Sequence, residues 1–284
     1  MDTELTGRTA ELMLSAALGN PMTTAMYEGL CAGNSQSLVR GVAVCYAPTV
    51  AVLRRAATER KNLILSREHP FFLHGGLNYA YTSGGLEAAL KDDPVTTAKR
   101  EIITTNQLMV LRFGGAWDQF NPKAPSLALA QALGLTPITP ALIDRFRGVV
   151  CAVTHVALAA LAQTTADRLK AYSSRIVGDP QARVTRLAVL AGETDPPAAL
   201  ARLLADPKID GILAGAGGTV DEVDGAIAYF RDVIATGRKI AMLAIGYGPS
   251  QEPGVADFAR WVKPLFPNLP VEWWPTPDPS WIPR

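Results

Sequence analysis

Apolar and polar positions alternate between two periods along the chain. Residues 9–18 have the spacing of an amphipathic helix, closed by Gly19-Asn20-Pro21. Residues 39–46 read as a strand. Pro48-Thr49 then opens a helix through residue 60, with Thr49 as its N-cap. The short apolar run 62–66 predicts a buried strand, 96–106 a helix, 108–113 a strand, and 126–133 a helix ended by Gly134. The second half repeats the theme. Strands are expected at 149–153, 184–190, 211–213, 239–245 and 271–274. Helices are expected at 155–172, 197–204, from the capping-box sequence Thr219-Val220-Asp221-Glu222 to 236, and at 252–265. This alternation predicts an α/β fold with mixed sheets. The expected organisation is two related α/β lobes, 1–147 and 148–284. The other arrangement is one continuous domain, with the first lobe completed by the C-terminal segment.

Composition narrows the function classes. The 284 residues are 48% hydrophobic and 19% charged, enough for one large or two medium cores. The net charge is +1, and Lys and Arg are scattered in nothing longer than pairs such as Arg54-Arg55. Nucleic acid and anionic membrane surfaces are therefore excluded as main partners. The acidic opening Met1-Asp2-Thr3-Glu4-Leu5 lacks a signal pattern, and no apolar run approaches the ~20 residues of a membrane span. A soluble cytoplasmic protein is expected. Cys31, Cys45 and Cys151 are widely spaced, without a CxxC, and read as buried thiols in a reducing compartment.

Candidate chemistry concentrates after the strand at 62–66, in Ser66-Arg67-Glu68-His69-Pro70-Phe71-Phe72. A buried strand there delivers a carboxylate, an imidazole and a chain-stopping proline to its carboxyl end, the edge at which α/β sheets bind ligands. Gly215-Ala216-Gly217-Gly218-Thr219 lies between a strand and a helix. It lacks the Lys-Ser/Thr of a P-loop and reads better as a tight turn with an N-cap than as an anion cradle. His74-Gly75-Gly76 reads as a loop, with a flap over the turn as the other possibility. His155 is expected at a helix start. Trp273, Trp274 and Trp281, among prolines, read as a tail docked on the chain's own core or on a neighbouring subunit.

Several of these stretches are similar to the Nif-three-like family, many of whose members carry the label of type-two GTP cyclohydrolase homologues. Glu28-Gly29-Leu30 and Val39-Arg40-Gly41-Val42-Ala43 resemble its opening strand. Asn62 to Pro70 lies where the family has a strand followed by His-His-Pro or His-Glu-Pro. Val177-Gly178-Asp179-Pro180, with the strand at 184–190 and Ala191-Gly192, resembles the entry to its second domain. Ile245-Gly246-Tyr247-Gly248-Pro249-Ser250-Gln251-Glu252-Pro253-Gly254 resembles its Gly-His-x-x-Ser-Glu-Glu-Pro-Gly stretch. The resemblance implies two α/β lobes around a cleft, a toroidal hexamer, and a pair of divalent metals. Two close metals would lower the pKa of a shared water and clamp a developing oxyanion.

The ligand set implied by the resemblance is eroded. Glu68 stands at the leading His position, with His69 retained. Gly114 stands at the second His position, where only Asp118 survives. Tyr247 and Gln251 replace the last His and carboxylate, and Gly215-Ala216 replaces Gly-Glu. Tyr and Gln are poor zinc or iron ligands. That count favours no cofactor over a single hard divalent metal ion held through Glu68 and Asp118, with His69 as a further ligand. Given the family architecture, Glu68, His69, Arg112, Asp118, Tyr247, Gln251 and Glu252 would converge. Glu68, His69 and Asp118 would then be catalytic. Arg112, Tyr247, Gln251 and Glu252 would bind a small-molecule substrate. The expected function is acid–base chemistry on a small polar molecule: hydrolysis, ring opening or elimination. The alternatives are a non-catalytic binding or scaffold protein and a metal-dependent hydrolase. In the plainer reading Glu68 pairs with Arg67 or Arg112, and His69 only holds a backbone group.

Overall fold

Side-chain caps mark where the first helices begin. In the computed structural model the Thr6 side chain accepts the Thr9 amide and opens α1 (Gly7–Ala17), and Thr49 accepts from Val52 and opens α2 (Val50–Thr58). Asp93 accepts from Thr96 and opens α3 (Pro94–Thr105), with Pro94 in the first turn. Each cap satisfies an amide that has no partner inside its helix. The structure describes residues 5–19, 28–71, 90, 92–138, 148–171, 174–192, 200–201, 203–215 and 220–276, with the backbone alone at 155 and 220–226. The chain divides into two compact units, Met1–Pro122 with Val255–Thr276 and Lys123–Gly254 with Pro277–Arg284.

The sheet of the first unit has the order β1-β4-β3-β2-β11 among the described residues. Its strands are β1 (Gly29–Ala32), β2 (Val42–Cys45), β3 (Leu63–Ser66), β4 (Met109–Arg112) and β11 (Val271–Trp274). β2, β3, β4 and β11 run parallel, and β1 pairs with β4 antiparallel. Every position of β2, β3 and β4 is buried. That is why they read as unbroken apolar runs, as parallel strands covered on both faces do. Ala43, Ile64 and Val110 pack with Leu53, Ala56 and Ile103 from α2 and α3 and with Trp274 from β11. The register aligns Cys45, Ser66 and Arg112 across the carboxyl ends of three neighbouring strands. Pairing of β11 with β2 completes the unit from the far end of the chain. Trp274 is buried under the Arg55 guanidinium, 4.2 Å from its ring, whereas Trp273 is exposed.

The second unit holds the sheet β5-β6-β8-β9-β10-β7 among the described residues. Its strands are β5 (Thr136–Pro137), β6 (Gly148–Ala157), β7 (Arg175–Val177), β8 (Arg183–Leu190), β9 (Gly211–Ala214) and β10 (Ala241–Ala244). β8, β9 and β10 are parallel and the others antiparallel. Alternate residues feed opposite cores, as the two-residue period of a strand requires. Cys151, Leu187, Val189, Leu213 and Leu243 face α5 (Ala124–Ala132) and α6 (Leu158–Leu169). Val150, Ala188, Leu190, Ile212 and Met242 pack around Phe230 of α7 (Val220–Ala235). The division after Pro122 differs from the expected one after residue 147, because α5 and β5 pack with the second sheet.

Three other departures from expectation have local causes. The strand expected at 149–153 continues to Ala157, so His155 lies in β6 and not at a helix start. A register shift between Ala152 and Val156 lets the pairing with β8 resume. Helix α8 (Tyr247–Val262) begins well before residue 252 and contains Pro253. Gly246, at φ +90°, makes the turn into it. Strands β1, β5 and β7 are too short to leave a clear alternation. Most of the 197–204 helix, Thr219, the His74 loop, the 216–219 turn and Trp281 lie outside the described residues. No disulfide joins the three cysteines, and burial pushes the Cys151 thiol up to about 11 and Cys31 to about 12, so both stay protonated near neutrality. Among the described residues no helix is long and apolar enough to cross a membrane.

Gly33 tests the apposition of β1 and β4. It sits at φ +96°, and a Cβ there would collide with the Leu108 carbonyl and lie 2.9 Å from the Met109 Cα. Gly33→Ala is expected to lower the unfolding free energy by ~1 kcal/mol or more, read from urea denaturation.

Candidate functional site

The turn after β3 is fixed by backbone before any side chain acts. The Arg67 and Glu68 amides donate to the Cys45 and Tyr46 carbonyls at 3.1 and 2.9 Å, and the Phe113 amide donates to the Ser66 carbonyl at 3.0 Å. The Ser66 hydroxyl donates to the Glu68 carbonyl at 2.6 Å. These bonds extend the ladder past the ends of β2, β3 and β4. They bury Arg67, Glu68 and His69 at the carboxyl edge of the sheet, together with Arg112 and Asp118.

Two guanidinium–carboxylate pairs organise this edge. Arg67 Nη1 and Nη2 donate to Asp118 Oδ1 and Oδ2 at 3.0 and 2.7 Å, a fork in which both partners are buried. Arg112 Nη1 lies 2.6 Å from Glu28 Oε1, and the Glu28 carboxylate also accepts the Gly115 and Ala116 amides. Arg112 Nε donates to the Arg67 carbonyl at 3.2 Å and joins the two pairs. Both acids meet α4 (Gly114–Phe120): Asp118 lies on it, and Glu28 binds its first amides. The neighbouring Trp117 turns to Phe258 and Trp261, 5.2 Å away in each case.

His69 sits in a different electrostatic setting from the one expected. Its Nδ1 accepts the Phe71 amide at 3.2 Å, so the neutral ring carries its proton on Nε2. Burial first, then the charges of Arg112 and Lys99, push its pKa down to about 3. Lys99, on α3, donates from Nζ to the Pro70 carbonyl at 2.6 Å, and burial lowers its pKa below the usual lysine range. Sequence reasoning missed Lys99 and Glu28. Each lies tens of residues from the turn, and no local spacing ties it there. It offered Arg67 and Arg112 as partners for Glu68; Arg67 pairs with Asp118 and Arg112 with Glu28.

Tyr247, Gln251 and Glu252 belong to the second unit and lie on the first turns of α8, after β10. Ser250 accepts the Gly192 amide at 2.9 Å and donates to the Tyr247 carbonyl at 2.7 Å. The Gln251 side chain is buried against Gly192, and its Oε1 finds no hydrogen-bond partner among the described residues. A neutral carboxamide packs there without a counter-ion.

These residues do not fit a pair of divalent ions. Both Asp118 oxygens are taken by Arg67. At Gly114 a Cβ would lie 2.6 Å from the Arg67 carbonyl oxygen, so this backbone has no room for an imidazole. Gln251 offers only an amide oxygen. Among the described residues no group of three or more His, Cys, Asp or Glu side chains is placed to hold a metal.

The model of the family Duf34/NIF3 (NGG1p interacting factor 3) matches residues 21–216. A hypothetical protein from Staphylococcus aureus has a similar structure, with a TM-score of 0.69 at 17% identity over 99% of this chain and 100% of its own. A Bacillus cereus protein related to NIF3 gives 0.68 at 14% identity over 99% and 100%. Reduced HcgD from Methanocaldococcus jannaschii gives 0.62 at 15% identity over 96% and 98%. At such identities the likeness is one of fold. No curated protein matches in sequence.

Two measurements probe the edge. Arg67→Met strands a buried carboxylate and is expected to cost about 3–5 kcal/mol, while Arg67→Met with Asp118→Leu recovers most of the loss. A urea double-mutant cycle reads both. The second concerns pH. Folded His69 binds a proton only near 3, and the unfolded chain binds one near 6.5. The contribution is complete above 6.5 and is lost as pH falls towards 3. Between pH 6.5 and 5 the wild type should lose ~2 kcal/mol more than His69→Gln.

Proposed function

Because the chain belongs to the Duf34/NIF3 family, whose metal ligands it does not reproduce, we propose that it carries out metal-independent acid–base chemistry on a small polar molecule. The site is the carboxyl edge of the first sheet. The observation that carries this reading is the neutral His69 beside Glu68, both buried, in a frame of closed Arg–carboxylate pairs. With its pKa at about 3, the His69 ring is a poor base at neutral pH and a good hydrogen-bond donor from Nε2. Glu68 takes the proton, from a carbon acid or from a water. His69 Nε2–H then stabilises the oxygen on which negative charge grows. Such a pair suits elimination, ring opening or hydrolysis. Asp118 is a positioning residue: it acts by holding Arg67. Cytoplasmic residence and self-association, as a hexamer or otherwise, belong to the same proposal, the latter read by sedimentation velocity.

A second reading, a non-catalytic binder, is favoured by one observation: both Arg–carboxylate pairs are already closed. Turnover separates the two. Wild-type protein, dialysed against chelator, is incubated with small lactones, cyclic amides, hydroxy acids and phosphate esters, and products are followed by NMR. Turnover is expected to survive the chelator, to fall ~100-fold or more in Glu68→Gln and about tenfold in His69→Gln, within the range of a single acid–base group. Near-stoichiometric zinc, iron or manganese in untreated protein, with activity lost on its removal, overturns the metal-independent reading. Binding without turnover of any of these compounds selects the binder.

A further inference from the structure

We infer that Lys99 is the anchor for an anionic group, a carboxylate or phosphate, on the molecule that the Glu68-His69-Pro70 turn receives. This rests on the reading of that turn as the site and adds a substrate class to it. The argument is one of charge balance. Arg67 and Arg112 both have a buried carboxylate against them, Asp118 and Glu28. Among the described residues Lys99 has none. There its Nζ makes a single hydrogen bond, 2.6 Å to the Pro70 carbonyl, and no ion pair. The carboxylate on its own helix, Asp93, is spent capping α3 through the Thr96 amide at 2.6 Å. The other titratable group that acts on it is the buried Cys45 thiol, at the end of β2.

A half-buried ammonium with one neutral acceptor is costly, because the ion gives up water without gaining a counter-ion. Lys99 is placed where such a cost has a use. It reaches from α3 to the carboxyl edge of the parallel strands, and its charge acts on the His69 ring. An ammonium has three donors, so two remain beyond the bond to Pro70. An oxyanion group bound there supplies the missing charge, restores the lysine to its ordinary basicity, and sits beside the His69 donor. Burial keeps His69 neutral, helped by the charges of Arg112 and Lys99, and those charges are the setting an anion needs.

The test measures binding of inorganic phosphate and, separately, malonate to the full chain by isothermal titration calorimetry, with Lys99→Met, Lys99→Arg and the exposed control Lys263→Met. The expected result is saturable binding of at least one anion, weakened tenfold or more in Lys99→Met, kept within threefold in Lys99→Arg, and unchanged in Lys263→Met. The anion that binds more tightly tells phosphate from carboxylate. Thermal melting supplies the second readout. Lys99→Met is expected to keep or raise the melting temperature, since it removes an unbalanced charge. Absence of binding by both anions, or binding that Lys99→Met leaves intact, overturns the proposal. So does a melting temperature several degrees lower in Lys99→Met, which would make Lys99 a staple for Pro70. Failure of the acid–base reading would look different: anion binding would still depend on Lys99, while Glu68→Gln left turnover untouched.

Discussion

The buried fork between Arg67 and Asp118 is the constraint on which the first sheet's carboxyl edge depends. Neither charge is tolerable there alone, because each would lose several kcal/mol of hydration on burial. Together, with two parallel hydrogen bonds, they close. The geometry of this closure reaches further than the pair. Arg67 needs its carbonyl where Arg112 Nε donates, and that carbonyl presses on Gly114 at the start of α4. Arg112 in turn draws Glu28 onto the Gly115 and Ala116 amides. A glycine, two arginines and two acids thus form one unit, and a change at any of them is felt at the rest.

The same unit decides what chemistry the edge supports. A dinuclear centre needs carboxylates with open lone pairs and imidazoles beside them. Here the lone pairs of Asp118 face a guanidinium, and the remaining imidazole lies among cations. A cation built from protein stands against the Asp118 carboxylate. Unlike a metal ion, a guanidinium neither ligates nor acidifies water. In the proposed acid–base reading the chemistry falls to Glu68 and to the Nε2 proton of His69, as proton transfer assisted by hydrogen bonding.

Much of the fold was legible because burial leaves a periodic trace. The unbroken apolar runs at β2, β3 and β4 and the caps Thr49 and Pro48-Thr49 placed the first sheet to within a few residues. What escaped was set by non-local contacts. His155 was expected to open a helix, yet pairing with β8 extends β6 past it. The last helix was expected to start at residue 252, yet α8 begins at Tyr247, where Gly246 turns the chain. The site shows the same division. The Glu68-His69 turn was visible, because a strand end is a local feature. Its electrostatics were not, because Arg67 to Asp118, Arg112 to Glu28 and Lys99 to Pro70 all join residues far apart in sequence. The acids that pair with the two arginines, Asp118 and Glu28, lie far from the turn in sequence.

Glu68 and Gly114, which the resemblance sets at histidine positions, make sense only together with the retained Asp118. An imidazole at 114 would need the Arg67 carbonyl to move, and with it the hydrogen bond that locates Arg112. A histidine there alone would break the arginine frame before it could bind a metal, and removing Arg67 alone would leave Asp118 charged and buried without that counter-charge. Single changes toward a metal-binding set thus pass through states that are worse folded than the present one. That barrier is physical and arises from the cost of unpaired buried charge. Likeness of fold therefore carries no activity across to this chain by itself.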